Sequence, residues 1–257
     1  MIKNLTLIEI EVHSFCNRKC KFCPNRDLDR GFYKKMPDET FTNLLEDLKE
    51  NDFSGTISFT RYNEPSYKCD ILIEKIKEVN LVLPGVSVKL HTNTDYVKKE
   101  LFNSVKIHRI IATDYDNISI DKAKENMKKW NIRLKGIKTT SKGILLLGTN
   151  LNVDEFVYRL KWINVVKLED RGNYFPKDEI IEHNGMEMNW KNDRDTRKNV
   201  PCIEPFVTCC IEWNGNVMPC THLRSDYEPH QKYIMGNINE DSLSKIYNSD
   251  NYKNMRK

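Results

Sequence analysis

The sequence predicts an α/β protein: a mainly parallel sheet, wound or closed into a partial barrel, followed by a small unit made of a β-hairpin and a helix. Three observations predict this. Short β-rich apolar runs alternate with helix-period segments from Leu5 to Leu168. A charged and amide-rich stretch from Asn173 to Asn199 then interrupts the periodicity. Beyond it, Trp213-Asn214-Gly215-Asn216 lies between two apolar runs, as a hairpin turn would. With 257 residues, 39% hydrophobic and 30% charged, the chain is long enough to bury a core. The expected division is 1–172 for the barrel, 173–200 for a linker or surface excursion, and 201–257 for the terminal unit.

Taken in order, Leu5 to Val12 reads as a strand and Phe41 to Lys49 as a helix entered through Pro37 and Asp38. A strand at Thr56 to Thr60, a helix from Asp70 to Val79 and a strand at Val86 to His91 follow. Further helices are expected at Tyr96 to Asn103, Asp121 to Trp130 and Asp154 to Leu160. Strands are expected at Ile107 to Ala112, Ile132 to Gly136, Ile144 to Leu147 and Val165 to Leu168. In the terminal unit, Phe206 to Glu212 and Val217 to Cys220 read as the hairpin and Asp241 to Asn248 as a helix. Repeated strand-helix alternation implies right-handed crossovers between parallel strands, which places chemistry at the carboxyl ends of the strands.

Net charge is only +4, with 41 Lys and Arg interleaved among 37 Asp and Glu, so nothing resembles a nucleic-acid-binding arm. The amino-terminal apolar run is too short, and too interrupted by Glu, for a signal peptide or membrane span. A cytoplasmic location is expected. Eight cysteines in a reducing compartment point to metal or catalytic use rather than disulfides.

Three of those cysteines, Cys16, Cys20 and Cys23, fall within one short loop after the first strand. Such a loop can wrap three thiolates around one iron-sulfur cluster, each on a different iron, and leave the last iron open to a small molecule. The alternatives are a structural zinc site, with His13 as fourth ligand, or three unrelated buried thiols.

This spacing, with the aromatic Phe22 just before the last cysteine, resembles the signature of the radical S-adenosylmethionine superfamily. The resemblance implies a partial (β/α)6 barrel, a 4Fe-4S cluster on Cys16, Cys20 and Cys23, and S-adenosyl-L-methionine as cofactor. Tyr62-Asn63-Glu64-Pro65 is similar to the family stretch that holds the methionine amino group, with Asn63 in place of the usual glycine. His91-Thr92-Asn93 is similar to the segment that approaches the ribose. Tyr62, Asn63, Glu64, Thr92 and Asn93 are therefore the implied cofactor-binding residues.

Ile8 to Val12, Asp52 to Gly55, Ile57 to Phe59, Asp170 to Asn173, Cys202, Cys220 and Met235 to Ile238 resemble the superfamily's dehydrogenases of aminoglycoside precursors. The likeness implies oxidation of a secondary alcohol of a cyclitol or sugar to a ketone, with an electron donor such as flavodoxin or ferredoxin. Glu9, Tyr62 and Arg171 would bind substrate. Arg171 would sit by the reacting alcohol and orient it, since arginine is a poor base; the alternative for it is a surface ion pair.

Cys202, Gly215 and Cys220 match the start of the twitch or SPASM unit, which implies ligands of a possible second iron-sulfur cluster. In those families further cysteines follow the last helix, and none follows Cys220 here. The second cluster is then missing, or Cys209 and Cys210 complete it in a rearranged way, or the form is shortened. Neighbouring residues on a strand face opposite ways, so at most one of Cys209 and Cys210 can face Cys202 and Cys220. Thr221 stands where the dehydrogenases carry an aromatic residue. The alternatives are a redox-neutral epimerase, with Cys209, Cys210 or Cys69 returning hydrogen, a peptide-modifying enzyme, or a zinc-binding module.

Overall fold

Ile8 and Ile10 alternate with Leu7 and Glu9 along β1 (Leu7–Ile10), and this alternation sets the two faces of the sheet. The computed structural model describes residues 2–28, 30, 31, 33–113, 115, 120–132, 137–140, 143–146, 153–159, 172–175, 180–183, 186–189 and 202–257. β1 leads to α1 (Asp38–Glu50), β2 (Thr56–Phe59) to α2 (Cys69–Val82), β3 (Ser87–Thr92) to α3 (Lys99–Ser104), and β4 (Ile107–Thr113) to α4 (Ile120–Lys129). The strands of these units are parallel neighbours in that order, with Ile8 opposite Ile57, Ile57 opposite Val88 and Leu90 opposite Ile110. The α/β class predicted from the alternation is thus the one observed.

The apolar face forms one core. Ile8, Ile10, Ile57, Phe59, Val88, Leu90 and Ile110 join Phe41, Leu44, Leu45 and Leu48, which recur along α1 at helical spacing. Each such side chain contributes about 1.5–3 kcal/mol when fully buried. The other face is polar: register aligns Glu9, Ser58, Lys89 and Arg109 in one row across the strands.

Past α4 the structure departs from the expected rhythm. Of the segment 154–160, read as a helix, residues 154–159 lie in β7 (Val153–Arg159), which runs parallel to β4, and residue 160 lies outside the described residues. Its β-branched and aromatic residues outweigh Asp154 as a helix cap, and Arg109 Nε pairs across the strands with Glu155 Oε2 at 2.8 Å. β5 (Ile137–Thr140) and β6 (Gly143–Leu146) continue the sheet antiparallel. The expected strand over 132–136 lies largely outside the described residues, and that over 165–168 entirely so. Within the stretch read as a linker, β8 (Ile180–His183) and β9 (Met186–Asn189) pair as a separate two-stranded sheet. Asn184-Gly185 between them is a hairpin signal that the charged surroundings hid.

The terminal hairpin is present, but it begins later than expected. Pro205 favours a helical turn, so Phe206 and Val207 end α5 (Glu204–Val207) before β10 (Thr208–Ile211) starts. β10 pairs with β11 (Asn216–Met218) antiparallel and with β1 parallel, and β11 pairs with β12 (Gly236–Asn237). The sheet order is therefore β12-β11-β10-β1-β2-β3-β4-β7-β6-β5. Gly215 turns the hairpin at φ +85°, where a Cβ would meet Asn239 Nδ2 at 2.5 Å. α6 (Leu243–Tyr247) and α7 (Asp250–Met255) close the chain, the first docked on α1 through Asp47. No helix among the described residues is long and apolar enough to cross a membrane.

Candidate active site

The loop that follows β1 owes its shape to the strands beside it. Glu64 N–H donates to the Phe15 carbonyl at 3.0 Å, and Asn25 Nδ2 to the Tyr62 carbonyl at 2.5 Å. Arg18 forks onto Asp95 at 2.7 Å per bond, while Asn17 Nδ2 donates to Asp95 at 2.6 Å and its carbonyl accepts from Asn93 Nδ2 at 2.9 Å. The loop is thereby tied to the carboxyl ends of β2 and β3. Cys16, Cys20 and Cys23, all half-buried and none of them in a disulfide, line a cavity of about 240 Å³ together with Tyr62, Asn63, Glu64, Thr92 and Asn93. The fold thus brings together eight residues that the sequence had singled out.

Burial pushes the Cys16 thiol up to about 12, opposed by the Arg18 backbone N–H and reinforced by Glu64 and the other two thiols. Burial also raises Cys23. Iron would have to displace protons from this triplet, as thiolate ligation always requires. Among the described residues, no three His, Cys, Asp or Glu groups converge as ligands of a single metal ion. His13, weighed as a fourth zinc ligand, is absent from the cavity lining. It is buried with its ring 5.1 Å from Tyr33, and its Nδ1 accepts the Phe15 N–H at 3.3 Å.

Glu64 is buried at the far wall. Its Oε1 accepts from Ser66 N–H at 3.0 Å, from the Ser66 hydroxyl and from Thr92 Oγ1 at 2.6 Å, and its Oε2 accepts from Asn93 N–H at 2.6 Å. Burial raises the carboxyl and these donors pull it back. The Thr92 hydroxyl and the Asn93 backbone N–H are therefore spent on Glu64. Asn63 is different: its buried Oδ1 and Nδ2 have no partner among the described residues. An unsatisfied donor and acceptor facing a cavity fit a bound molecule that carries both polarities, as the amino-acid end of S-adenosylmethionine does.

Behind this wall the sheet interior is ionic. Burial pushes Glu9 up, while Arg61 and Lys89 pull it down, and the Cys210 thiol lies 3.8 Å from its Oε2. Tyr62 lies under Arg61 and Arg224, whose guanidinium carbons sit 5.7 and 5.1 Å from its ring centre. Arg224 Nη1 donates to Asn25 at 2.9 Å, and Asp226 is shared between Arg224 and Arg30, the latter also forked onto Glu11. Sequence reasoning missed Arg61, Arg224, Arg30 and Glu212. Only Arg61, directly after an apolar strand, carried a local signal.

Of the remaining thiols, Cys210 shares a face with Cys220 and packs with Met218 and Leu223, whereas Cys209 and Cys69 lie in the apolar core. Cys202 is exposed. Gly172 is tied to the terminal unit, its carbonyl accepting from His230 Nε2 at 2.7 Å. Arg171 lies outside the described residues.

A family model described as the radical SAM superfamily matches residues 10–163, more than half of the chain. The chain belongs to the radical SAM superfamily. A second model, described as an iron-sulfur cluster-binding domain (SPASM), matches residues 202–257. Membership implies a 4Fe-4S cluster and S-adenosylmethionine, and the cysteine-lined cavity fits both. Among curated relatives, the S-adenosyl-L-methionine-dependent 2-deoxy-scyllo-inosamine dehydrogenase of Niallia circulans is 27% identical, over 100% of this chain and 88% of its own length. Among solved structures, BtrN in complex with AdoMet and 2-DOIA is similar at a TM-score of 0.63 and 24% identity, covering 98% of this chain and 85% of that one. SuiB of Streptococcus suis bound to its precursor peptide SuiA is similar at a TM-score of 0.58 and 13% identity, covering 98% and 66%. These solved structures share the fold of this chain.

Proposed function

We propose that this radical SAM enzyme oxidises a secondary alcohol of a small polyhydroxylated substrate, an aminocyclitol or sugar, to a ketone. The observation that carries the proposal is the 27% identity to an aminocyclitol dehydrogenase along the whole of this chain. The ionic interior beside the cavity supports a small polar substrate. When bound, the cluster and S-adenosylmethionine supply a 5′-deoxyadenosyl radical that removes a hydrogen atom from carbon. Cys16, Cys20 and Cys23 hold the cluster, Asn63 and Glu64 hold the methionine end, and Thr92 and Asn93 fix Glu64. Tyr62 closes the cavity over the cofactor and, with Glu9, takes hydroxyl or amino groups of the substrate. Arg171 orients the reacting hydroxyl. Cys202 and Cys220 are the proposed ligands of a second iron-sulfur cluster. None of the eight cysteines forms a disulfide, which suits a reducing cytoplasm with a low-potential donor such as flavodoxin or ferredoxin.

The test is anaerobic turnover of reconstituted protein with S-adenosylmethionine, dithionite and 2-deoxy-scyllo-inosamine in deuterated buffer. The expected result is 5′-deoxyadenosine together with an equal amount of ketone. Solvent deuterium in an unoxidised product would overturn the dehydrogenase reading.

A further inference from the structure

Arg61 follows β2 at the mouth of the barrel with φ +147°, a conformation that costs a residue with a Cβ about 1–3 kcal/mol. Its neighbours hold it there: the Tyr62 carbonyl is bonded by Asn25, and Glu64 N–H is bonded to Phe15. The side chain is fully buried. Nη2 alone makes its hydrogen bonds, at 3.0 Å to Glu212 Oε1 and 2.5 Å to the Leu223 carbonyl. Nε and Nη1, with more than half of the fork's N–H donors, have no partner among the described residues. Burying charged donors without acceptors is expensive, at about 1–3 kcal/mol or more per group. A strained backbone and an unsatisfied guanidinium coincide in a residue that lines the same cavity as the cysteine triplet.

The surroundings define what would satisfy it. Glu9 lies near enough to interact electrostatically with Arg61, and Ser58, opposite Glu9 across the β1–β2 pair, has a buried hydroxyl without a partner among the described residues. The interior already holds Glu9, Glu11, Glu212 and Asp226 against Arg30, Arg61, Arg224 and Lys89. An anion entering there would meet Glu9 and Glu212 as well as Arg61, so it gains little. A neutral oxygen acceptor beside an N–H or O–H donor does fit, the acceptor facing Arg61 and the donor facing Glu9.

We propose that Arg61 binds the substrate, giving its Nε and Nη1 hydrogens to a hydroxyl oxygen of a vicinal diol or amino alcohol whose neighbouring group bonds to Glu9. This rests on the small-polyol reading above and adds to it the residue that recognises the oxygen. Glu212 and Leu223, from the terminal unit, position the guanidinium, so the terminal unit takes part in substrate recognition through Arg61.

The experiment is calorimetric titration of 2-deoxy-scyllo-inosamine into cluster-loaded, S-adenosylmethionine-bound protein. Arg61→Lys keeps a charge for Glu212 but has no planar fork. The double variant Arg61→Gln with Glu212→Gln removes both charges and strands neither. In whichever variant retains wild-type iron content and near-ultraviolet dichroism, the dissociation constant should rise about tenfold or more. A constant within about twofold of wild type in such a variant overturns the proposal, and so does a wild type that cleaves the cofactor yet fails to bind the aminocyclitol. Binding that weakens as expected, without any ketone in turnover, would remove the dehydrogenase reading and leave the role of Arg61 standing.

Discussion

At the scale of single residues, Glu64 and His13 show how burial and partners decide between site and scaffold. Glu64 accepts from Ser66, Thr92 and Asn93 inside the cavity wall, so Glu64→Gln would set an amide N–H against donors. The expected cost is about 1–3 kcal/mol in urea unfolding, with a fall in 5′-deoxyadenosine formation. His13 is held at about 4, below its ordinary 6.5, because burial disfavours its charge more than Glu11 favours it. The unfolded chain binds this proton first as pH falls, so stability drops through the window from 6.5 to 4. Between pH 7 and 5 the loss is about 2 kcal/mol, and His13→Phe should flatten that limb in urea titrations of the cluster-free protein. The cysteine triplet and the Asn63-Glu64 stretch were legible because their ligand chemistry sits in adjacent residues. Arg224 and Glu212 were not, since their partners Asn25 and Arg61 are far away in sequence.

At the scale of elements, strand alternation and helix ends carry the argument. Cys209 faces the core beneath Tyr252 and Tyr247, and burial pushes its thiol up to about 12. Mass-spectrometric mapping after iodoacetamide treatment at pH 8 should find Cys202 alkylated and Cys209 unmodified in the folded, cluster-free protein. α6 depends on α1: Asp47 accepts Ser244 N–H at 2.8 Å and its hydroxyl at 2.7 Å. Asp47→Ala should cost about 1–2 kcal/mol, read as a lower urea midpoint. The first four strand-helix units were legible from periodicity. β7 was not, because Val153, Phe156 and Tyr158 bury with neighbours on β4 that local sequence does not announce.

At the scale of the whole molecule, the terminal unit is continuous with the barrel. β10 extends the sheet beside β1, and Asp226 binds both Arg30 and Arg224, whose other contacts reach Glu11 and the Asn25 turn behind Cys23. Asp226→Asn would leave two buried arginines short of a partner, at about 3–5 kcal/mol, and should lower iron retention because the cysteine loop is anchored there. The family fold and the hairpin were visible in the sequence, whereas this joint was not, since it depends on pairings across nearly the full chain length.

The central claim is that Cys16, Cys20 and Cys23 hold a cluster that S-adenosylmethionine can ligate directly. Electron paramagnetic resonance of the reduced, reconstituted protein tests it most directly, with and without S-adenosylmethionine, in wild type and in the Cys16, Cys20 and Cys23 triple-alanine variant. The account predicts a reduced 4Fe-4S signal that changes on adding the cofactor and a triple variant with no cofactor-responsive signal. A wild-type signal indifferent to S-adenosylmethionine, or one that survives unchanged in the triple variant, would contradict it.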